Sequence, residues 1–206
     1  MASRSRLGLP AARKALSQLL LAGAMATGSV AAHAAIITYT ASLGPEAVGA
    51  TGSGSVEVVY DSTAHTLVID ADWLGLSGVT TVAHIHCCTA TPGTGTIGVA
   101  VTPGTLPGFP AGVTAGSYLT SPVLDLTLST TFTSNFLNNF GGGTVAGAEA
   151  ALLAGLDAGK GYFNIHTDRF ASGEIRGFLQ QVPEPGTLAL LGLGLAGLAA
   201  SRRRKQ

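Results

Sequence analysis

Three histidines and a cysteine are the side chains of this sequence best suited to binding a metal ion. His84 and His86 lie in the segment Ala-His-Ile-His, and His166 lies in a second segment rich in strand-forming residues. Because side chains alternate between the two faces of a strand, His84 and His86 share one face, about 6.6–6.8 Å apart along the chain. By the same parity Cys88 falls on that face if the strand continues.

These four side chains predict a zinc or copper site, provided that the strand of His166 packs beside that of His84 and His86. Imidazole nitrogen and thiolate sulfur bind both ions, at about 2.0–2.3 Å. A structural interpretation stays open beside the metal hypothesis. In it the histidines are buried and hydrogen-bond to the backbone, or to Asn164 and Glu174 across a sheet.

The adjacent cysteines Cys87 and Cys88 predict either a disulfide or two free thiols. Neighbouring Cα atoms are about 3.8 Å apart across a trans peptide, closer than the usual 4.4–6.8 Å of a disulfide. A bridge between them would therefore be strained and easily reduced. It could serve as a rigid turn, an intermolecular link or a redox-sensitive switch.

The remaining motifs do not indicate an enzyme. Residues 93–98 fit the G-x-G-x-x-G pattern, but they run into Val99-Ala100-Val101, a predicted strand, where a dinucleotide-binding fold needs a helix. No second acid stands at a recognisable spacing from Glu174, so glycoside hydrolysis is not supported. We expect no catalytic residues, with a metal or redox activity as the alternative.

The elements that position these residues are predicted to be mostly strands. Short runs of Val, Ile, Thr and Tyr are separated by Gly, Pro or Ser, which is typical of a sandwich or barrel. One helical insertion is expected over Val145–Leu156, where Ala, Glu and Leu dominate. The expected strands are Ile36–Ser42, Ser55–Tyr60, His65–Asp72, Val79–His86, Ile97–Thr102, Tyr162–Thr167 and Glu174–Gln181.

The chain of 206 residues predicts one folded domain, residues 35–182, between two segments of different composition. This central region holds ten acidic and three basic residues, a formal charge of −7, while most basic residues lie near the ends. An acidic body repels phosphate backbones, so nucleic acid is excluded as an expected partner.

Residues 1–34 predict a signal peptide. A basic start is followed by the apolar run Ala15–Val30 and by Ala32-His33-Ala34, the small-x-small pattern that signal peptidase needs. We expect cleavage between Ala34 and Ala35. Export would place both cysteines in an oxidising compartment.

Residues 183–206 predict a second processed segment. Residues 182–186 read Val-Pro-Glu-Pro-Gly, residues 187–200 are uncharged and apolar, and residues 201–206 form a basic tail. A helix over Gly186–Ala200 would be roughly 22 Å long, short for a bilayer core of about 30 Å, so flanking residues must help it span the membrane. The basic tail would stay on the cytoplasmic side.

This C-terminal arrangement resembles the PEP-CTERM sorting signal of Gram-negative bacteria that produce exopolysaccharide. The resemblance implies that an exosortase recognises Pro183, Glu184 and Pro185. It also implies a chain that is secreted across the inner membrane, held there briefly by the C-terminal helix, and then placed at the cell surface or outside the cell.

The central region resembles the chordin-type (CHRD) domain. Three blocks carry the resemblance: Ala83-His84-Ile85-His86, the segment from Gly161 to Thr167, and the segment from Gly173 to Leu179. The chain departs from many relatives after His86, where it has two cysteines. The resemblance implies an all-β, immunoglobulin-like Greek-key β-sandwich.

Together these features predict an exported, non-enzymatic module that binds at the cell surface or in the extracellular matrix. Its expected partners are signal peptidase, the exosortase, and extracellular polysaccharide or envelope proteins. The alternative is a copper- or zinc-binding, or redox-active, envelope protein that uses the His-x-His site.

Overall fold

The computed structural model of the chain describes residues 35–183 and 192–197. Ala35 is therefore described, whereas the predicted signal peptide, Glu184 and Pro185 lie outside the described residues. Of the predicted C-terminal membrane helix only residues 192–197 are described, and they are helical. Among the helices in the described ranges, none has the length and apolar character needed to cross a membrane.

The described chain is mostly β, as predicted, with few helices. A 3₁₀ turn at Ser129–Thr131 precedes α1 (Ser134–Asn139) and α2 (Val145–Asp157), and α2 confirms the predicted helical insertion. Each of the seven predicted strand segments overlaps a strand. The strands are β1 (Ile36–Pro45), β2 (Ser53–Asp61), β3 (Thr66–Leu74), β4 (Thr80–His86), β5 (Val99–Val101), β6 (Gly116–Leu119), β7 (Leu124–Asp125), β8 (Tyr162–Thr167), β9 (Ile175–Phe178) and β10 (Gln180–Gln181).

The ten described strands form one curled antiparallel sheet. The order is β5-β4-β8-β9-β1-β2-β3-β6, with β10 beside β1 and β7 beside β3. β1 joins the part of the sheet that contains β5, β4, β8 and β9 to the part that contains β2, β3 and β6. Residues 36–43 pair with β2, while Gly44 and Pro45 pair with β9. This strand order does not confirm the Greek-key, immunoglobulin-like sandwich, which stays a prediction.

Alternation along the strands builds the core on one face of the sheet. In β3 the side chains of Leu67, Ile69, Ala71 and Trp73 are buried, and the residues between them are more exposed. Such alternation is expected when one face of a sheet packs on the core and the other meets solvent. Tyr39 in β1 is also fully buried.

Helix α2 packs against this core and is tied to it by two tyrosines. Its N-terminus is capped by the side chain of Thr144. The hydroxyl of Tyr39 donates to Asp157 at 2.6 Å, and that of Tyr60 donates to Glu149 at 2.8 Å. The two bonds hold the C-terminal end of α2 to β1 and its N-terminal half to β2.

Strand β8 and the last four residues of β4 are buried on both faces. Their inward side chains, such as Ile85 and Phe163, are fully buried in the core. All six residues of β8 are buried, so loops must cover its other face as well. That outer face carries the polar pairs His84 opposite Asn164 and His86 opposite Tyr162, with His166 opposite Val82.

Candidate metal centre

Strands β4 and β8 bring three of the four predicted ligands together. His84 and His86 lie two residues apart on β4, and His166 lies on the neighbouring β8 with its side chain on the same face. All three residues are buried, with at most 9% of their surface exposed. The strand parity expected for His84 and His86 accounts for their convergence.

The three imidazoles place one nitrogen each within reach of a single ion. These nitrogens all lie within 4.8 Å of one another. His84 Nδ1 and His166 Nε2 are 3.3 Å apart. Two ligands bound at 2.0–2.1 Å to a tetrahedral zinc ion would be separated by about 3.3–3.4 Å. This pair of nitrogens therefore already has the spacing of neighbouring zinc ligands.

The second nitrogen of each ring is fixed by the backbone of a covering loop. Since a carbonyl only accepts, each of these nitrogens must carry the proton. The three bonds run from His84 Nε2 to Gly104 O at 2.9 Å, from His86 Nδ1 to Ile97 O at 2.8 Å, and from His166 Nδ1 to Ala171 O at 2.8 Å.

These bonds set the tautomers so that lone pairs face inward. In the neutral rings, His84 Nδ1 and His166 Nε2 both present lone pairs, so their close approach is not a hydrogen bond. Within the described chain, His86 Nε2 is buried and has no hydrogen-bond partner. Histidine ligands of metals usually donate their outer N–H to a carbonyl or carboxylate in this way. The cluster thus has the outer contacts of a metal site.

Burial disfavours the protonated forms of His84 and His86. It lowers the pKa of His84, an effect that the bond to Gly104 only partly offsets. Burial likewise lowers the pKa of His86 to about 4. A metal ion can bind only neutral imidazole, so these shifts favour binding over proton uptake.

An open cleft of about 380 Å³ reaches the cluster beside His86. The ring of Tyr162 forms one wall and stacks on His86, with 4.7 Å between ring centroids. Arg176 and Glu46 pair at 3.1 Å on another wall. The remaining lining residues are Ala47, Thr96, Ile97 and Ser172.

The cysteines lie outside this cluster. Cys87 and Cys88 are joined by a disulfide, so Cys88 has no thiolate to offer a metal ion. β4 ends at His86. Side chains no longer alternate between the two faces of the sheet beyond that residue, so the expected position of Cys88 on the histidine face does not hold. Both sulfurs instead pack against Gly155 of α2.

Neither Asn164 nor Glu174 bonds to a histidine. Glu174 accepts hydrogen bonds from Ser77, Gly78 and Thr167. Asn164 donates through Nδ2 to Glu46. The structural interpretation is therefore realised only through backbone carbonyls, which fix the outer ring nitrogens and leave the inner ones available.

The loop carbonyls and the cleft walls were not predicted from the sequence. Strand parity puts Tyr162, Asn164 and His166 on one face of β8, and that signal could have placed Tyr162 and Asn164 at the site. No comparable periodicity indicates which loop carbonyls face the rings.

Comparison with known protein families identifies both parts of the chain. Residues 181–205 match the PEP-CTERM protein-sorting motif, which marks an exported protein sorted by an exosortase. No curated protein and no solved structure matches the chain. Residues 35–179, which contain the whole histidine cluster, match the CHRD domain, so the chain belongs to the CHRD domain family.

Proposed function

We propose that this exported chain is a module of the cell surface or extracellular matrix whose CHRD domain binds one zinc or copper ion. His84, His86 and His166 are the ligands. Neutral imidazoles are suitable ligands for both ions, and three of them are enough for a site that also holds water or an exogenous ligand.

One observation carries this proposal. Three inward nitrogens of buried histidines converge, while each outer nitrogen donates to a backbone carbonyl. A purely structural cluster would gain by hydrogen-bonding its rings to one another. Here the tautomers oppose such bonds and leave His86 Nε2 without a partner among the described residues. A cation at the centre would satisfy all three nitrogens.

The proposed role at the cell surface or in the matrix is supported by the sorting motif at residues 181–205 and not by the histidine cluster. The sorting motif implies export and a place at the cell surface or outside the cell. Association with exopolysaccharide is a further expectation for which the described residues offer no selective feature. We propose no catalytic activity for the domain.

The test is metal binding by the exported, processed protein. The purified protein is stripped with a chelator, reloaded with zinc or copper, and analysed by elemental mass spectrometry and competition titration. We expect one ion per chain. Because loss of an outer-shell contact typically costs 10–100-fold in affinity, His86→Ala, which removes a ligand, should weaken binding by more than about 100-fold.

His65 provides the matched control, since it lies outside the cluster and bonds to Glu149. Its φ of 54° favours Asn as the replacement, because Asn tolerates the left-handed region. His65→Asn should bind metal as the wild type does. A folded wild-type protein that takes up no zinc or copper, or equal binding by the His86→Ala variant, would contradict the proposal.

A further inference from the structure

Asn164 adjoins all three histidines on the outer face of the sheet. It lies directly opposite His84, two residues before His166 on the same strand, and diagonal to His86. Directly opposed side chains on a sheet have Cβ atoms about 4.5–5.5 Å apart, and diagonal ones remain within reach of long side chains. Any ligand bound at the centre of the cluster is therefore close to the Asn164 amide.

The orientation of that amide is fixed by Glu46. The carboxylate of Glu46 pairs with Arg176 and accepts a hydrogen bond from Asn164 Nδ2. Since a carboxylate only accepts, the amide must turn its NH₂ group toward Glu46 and its oxygen away. A Cβ at Gly173 would overlap both groups, so glycine at this position leaves room for the pair.

This orientation leaves Asn164 Oδ1 as an unpaired acceptor. Asn164 is 1% exposed, and its Oδ1 has no hydrogen-bond partner in the described chain. Buried polar atoms of native proteins almost always have a partner, which can be a water molecule or a ligand. The histidines cannot supply the donor, because each ring N–H is already committed to a loop carbonyl.

We propose that the metal ion keeps one exchangeable coordination position, and that Asn164 Oδ1 selects what fills it. This inference rests on the proposed function of the three-histidine site. The occupant is water or another oxygen ligand that carries a hydrogen and donates it to Oδ1. A small anion without a hydrogen is disfavoured, because its lone pairs face those of the amide oxygen. Asn164 is thus a positioning residue for the bound ligand and does not bind the metal.

The cleft gives such ligands a route to the ion. It opens beside His86, whose free Nε2 points to the cluster, and it is wide enough for several water molecules. A zinc site with three protein ligands and solvent access is of the open type, whereas closed structural sites have four protein ligands. The chemical class expected at this position is therefore a small, exchangeable oxygen ligand with a hydrogen to donate.

Cobalt(II) is the probe, because its visible spectrum reports the ligands that surround it. The exported, processed protein is loaded with cobalt, its stoichiometry is measured, and azide is added. Azide has no hydrogen to donate and should bind weakly to the wild type, with a saturable spectral change. Asn164→Ala removes the repelling oxygen and the hydrogen bond to water, so azide should bind about five- to tenfold more tightly.

Ser172→Ala is the control, since Ser172 lines the same cleft. Its azide affinity should equal that of the wild type. The gain in azide affinity cannot come from partial unfolding, which would weaken binding. Cobalt affinity of Asn164→Ala should stay within about a few-fold of the wild type, because Asn164 makes no hydrogen bond to a ligating ring in the described chain.

The outcomes separate this inference from the proposed function. A protein that takes up no cobalt, zinc or copper overturns both. If the spectrum of the cobalt-loaded protein does not change at saturating azide, the metal has no exchangeable coordination position. That result contradicts this inference but not the proposed three-histidine site. Equal azide affinity of Asn164→Ala and wild type removes the selecting role of Asn164 while the metal site stands.

Discussion

At the level of single residues, Glu174 is the carboxylate that accepts the most side-chain and backbone hydrogen bonds in the described chain. It has no exposed surface. It accepts from Ser77 N at 2.6 Å and Ser77 Oγ at 2.7 Å, from Gly78 N at 3.1 Å, and from Thr167 Oγ1 at 2.7 Å. Burial alone would raise the pKa of Glu174, but these hydrogen bonds outweigh it and the pKa is lowered.

Glu174→Gln should therefore lower the free energy of unfolding by about 2–3 kcal/mol at pH 7, because an amide NH₂ must face donors. Since the folded-state pKa is lowered, the stability that Glu174 contributes is complete above the unfolded-state pKa of about 4.3. It is lost as pH falls through the folded-state pKa. Urea denaturation of wild type and variant from pH 7 to pH 3 should show their difference shrinking below about pH 4.

Glu57→Gln is the control, because Glu57 is an exposed residue of β2 and undergoes the same chemical change. Its effect should stay within about 0.5 kcal/mol at pH 7. If Glu174→Gln is no more destabilising than Glu57→Gln, the hydrogen bonds to Ser77 and Thr167 do not stabilise the fold as argued.

The sequence predicts which histidines share a face of the sheet, but it does not predict the loop contacts that complete the site. Alternation along one strand puts His84 and His86 on a common face, and pairing of β4 with β8 adds His166. The carbonyls that set the tautomers come from loops that have no periodicity to read. Cys88 is excluded because β4 ends two residues earlier, and strand ends are poorly specified by local sequence.

At the level of elements, the contact of α2 with the disulfide depends on a glycine. Gly155 is buried in α2, and a Cβ there would overlap the sulfurs of both Cys87 and Cys88. In an exposed helix, Gly→Ala stabilises by about 1 kcal/mol. Here Gly155→Ala should instead destabilise by about 1–3 kcal/mol, because the helix or the disulfide must shift. Chemical denaturation of the variant and the wild type measures the difference.

A double-mutant cycle tests the cause of this penalty. In a Cys87→Ala/Cys88→Ala background the sulfurs are gone, and the nearest remaining atom to a Cβ at position 155 is the Cβ of residue 88, at 3.2 Å. The cost of Gly155→Ala should then fall by at least about 1 kcal/mol. An unchanged cost would mean that the sulfurs do not limit the approach of α2.

The elements that the sequence missed are the short ones. β6, β7 and α1 have four, two and six residues. Elements of this length have little intrinsic stability, and they exist here because of contacts with distant parts of the chain. β6 and β7 both pair with β3, and α1 is capped by the side chain of Thr133.

At the level of the whole molecule, the fold is closed by contacts between its two ends. β1 starts the described chain, yet it pairs with β9 and β10, which lie more than 120 residues later. Local propensity predicts that these segments are strands, but it has no information about which strands pair. The mostly-β class was therefore predictable from the sequence, whereas the order of the strands was not.

The sorting motif implies export and a place at the cell surface or outside the cell, and residues 1–34 are predicted to be the signal peptide that starts this export. The sorting motif at residues 181–205 predicts that an exosortase removes the apolar stretch and the basic tail from the exported chain. Mass spectrometry of the mature protein should find an N-terminus at Ala35 and a C-terminus that lacks the basic residues. Glu184→Ala alters the centre of the Pro-Glu-Pro motif and should yield a chain that keeps its tail and stays in the membrane fraction.

Thr187→Ala is the matched control for this prediction, because it is also a single change to alanine but lies just outside the motif. It should be processed like the wild type, so failure of Glu184→Ala alone would locate recognition in the motif. The opposite result is equally clear. A Glu184→Ala chain processed at the normal rate would mean that recognition does not depend on Glu184. A wild-type chain that keeps residues 185–206 and stays in the membrane fraction would mean that the apolar stretch is an ordinary membrane anchor. In that case the proposed metal site would function on a membrane-tethered domain rather than on a released one.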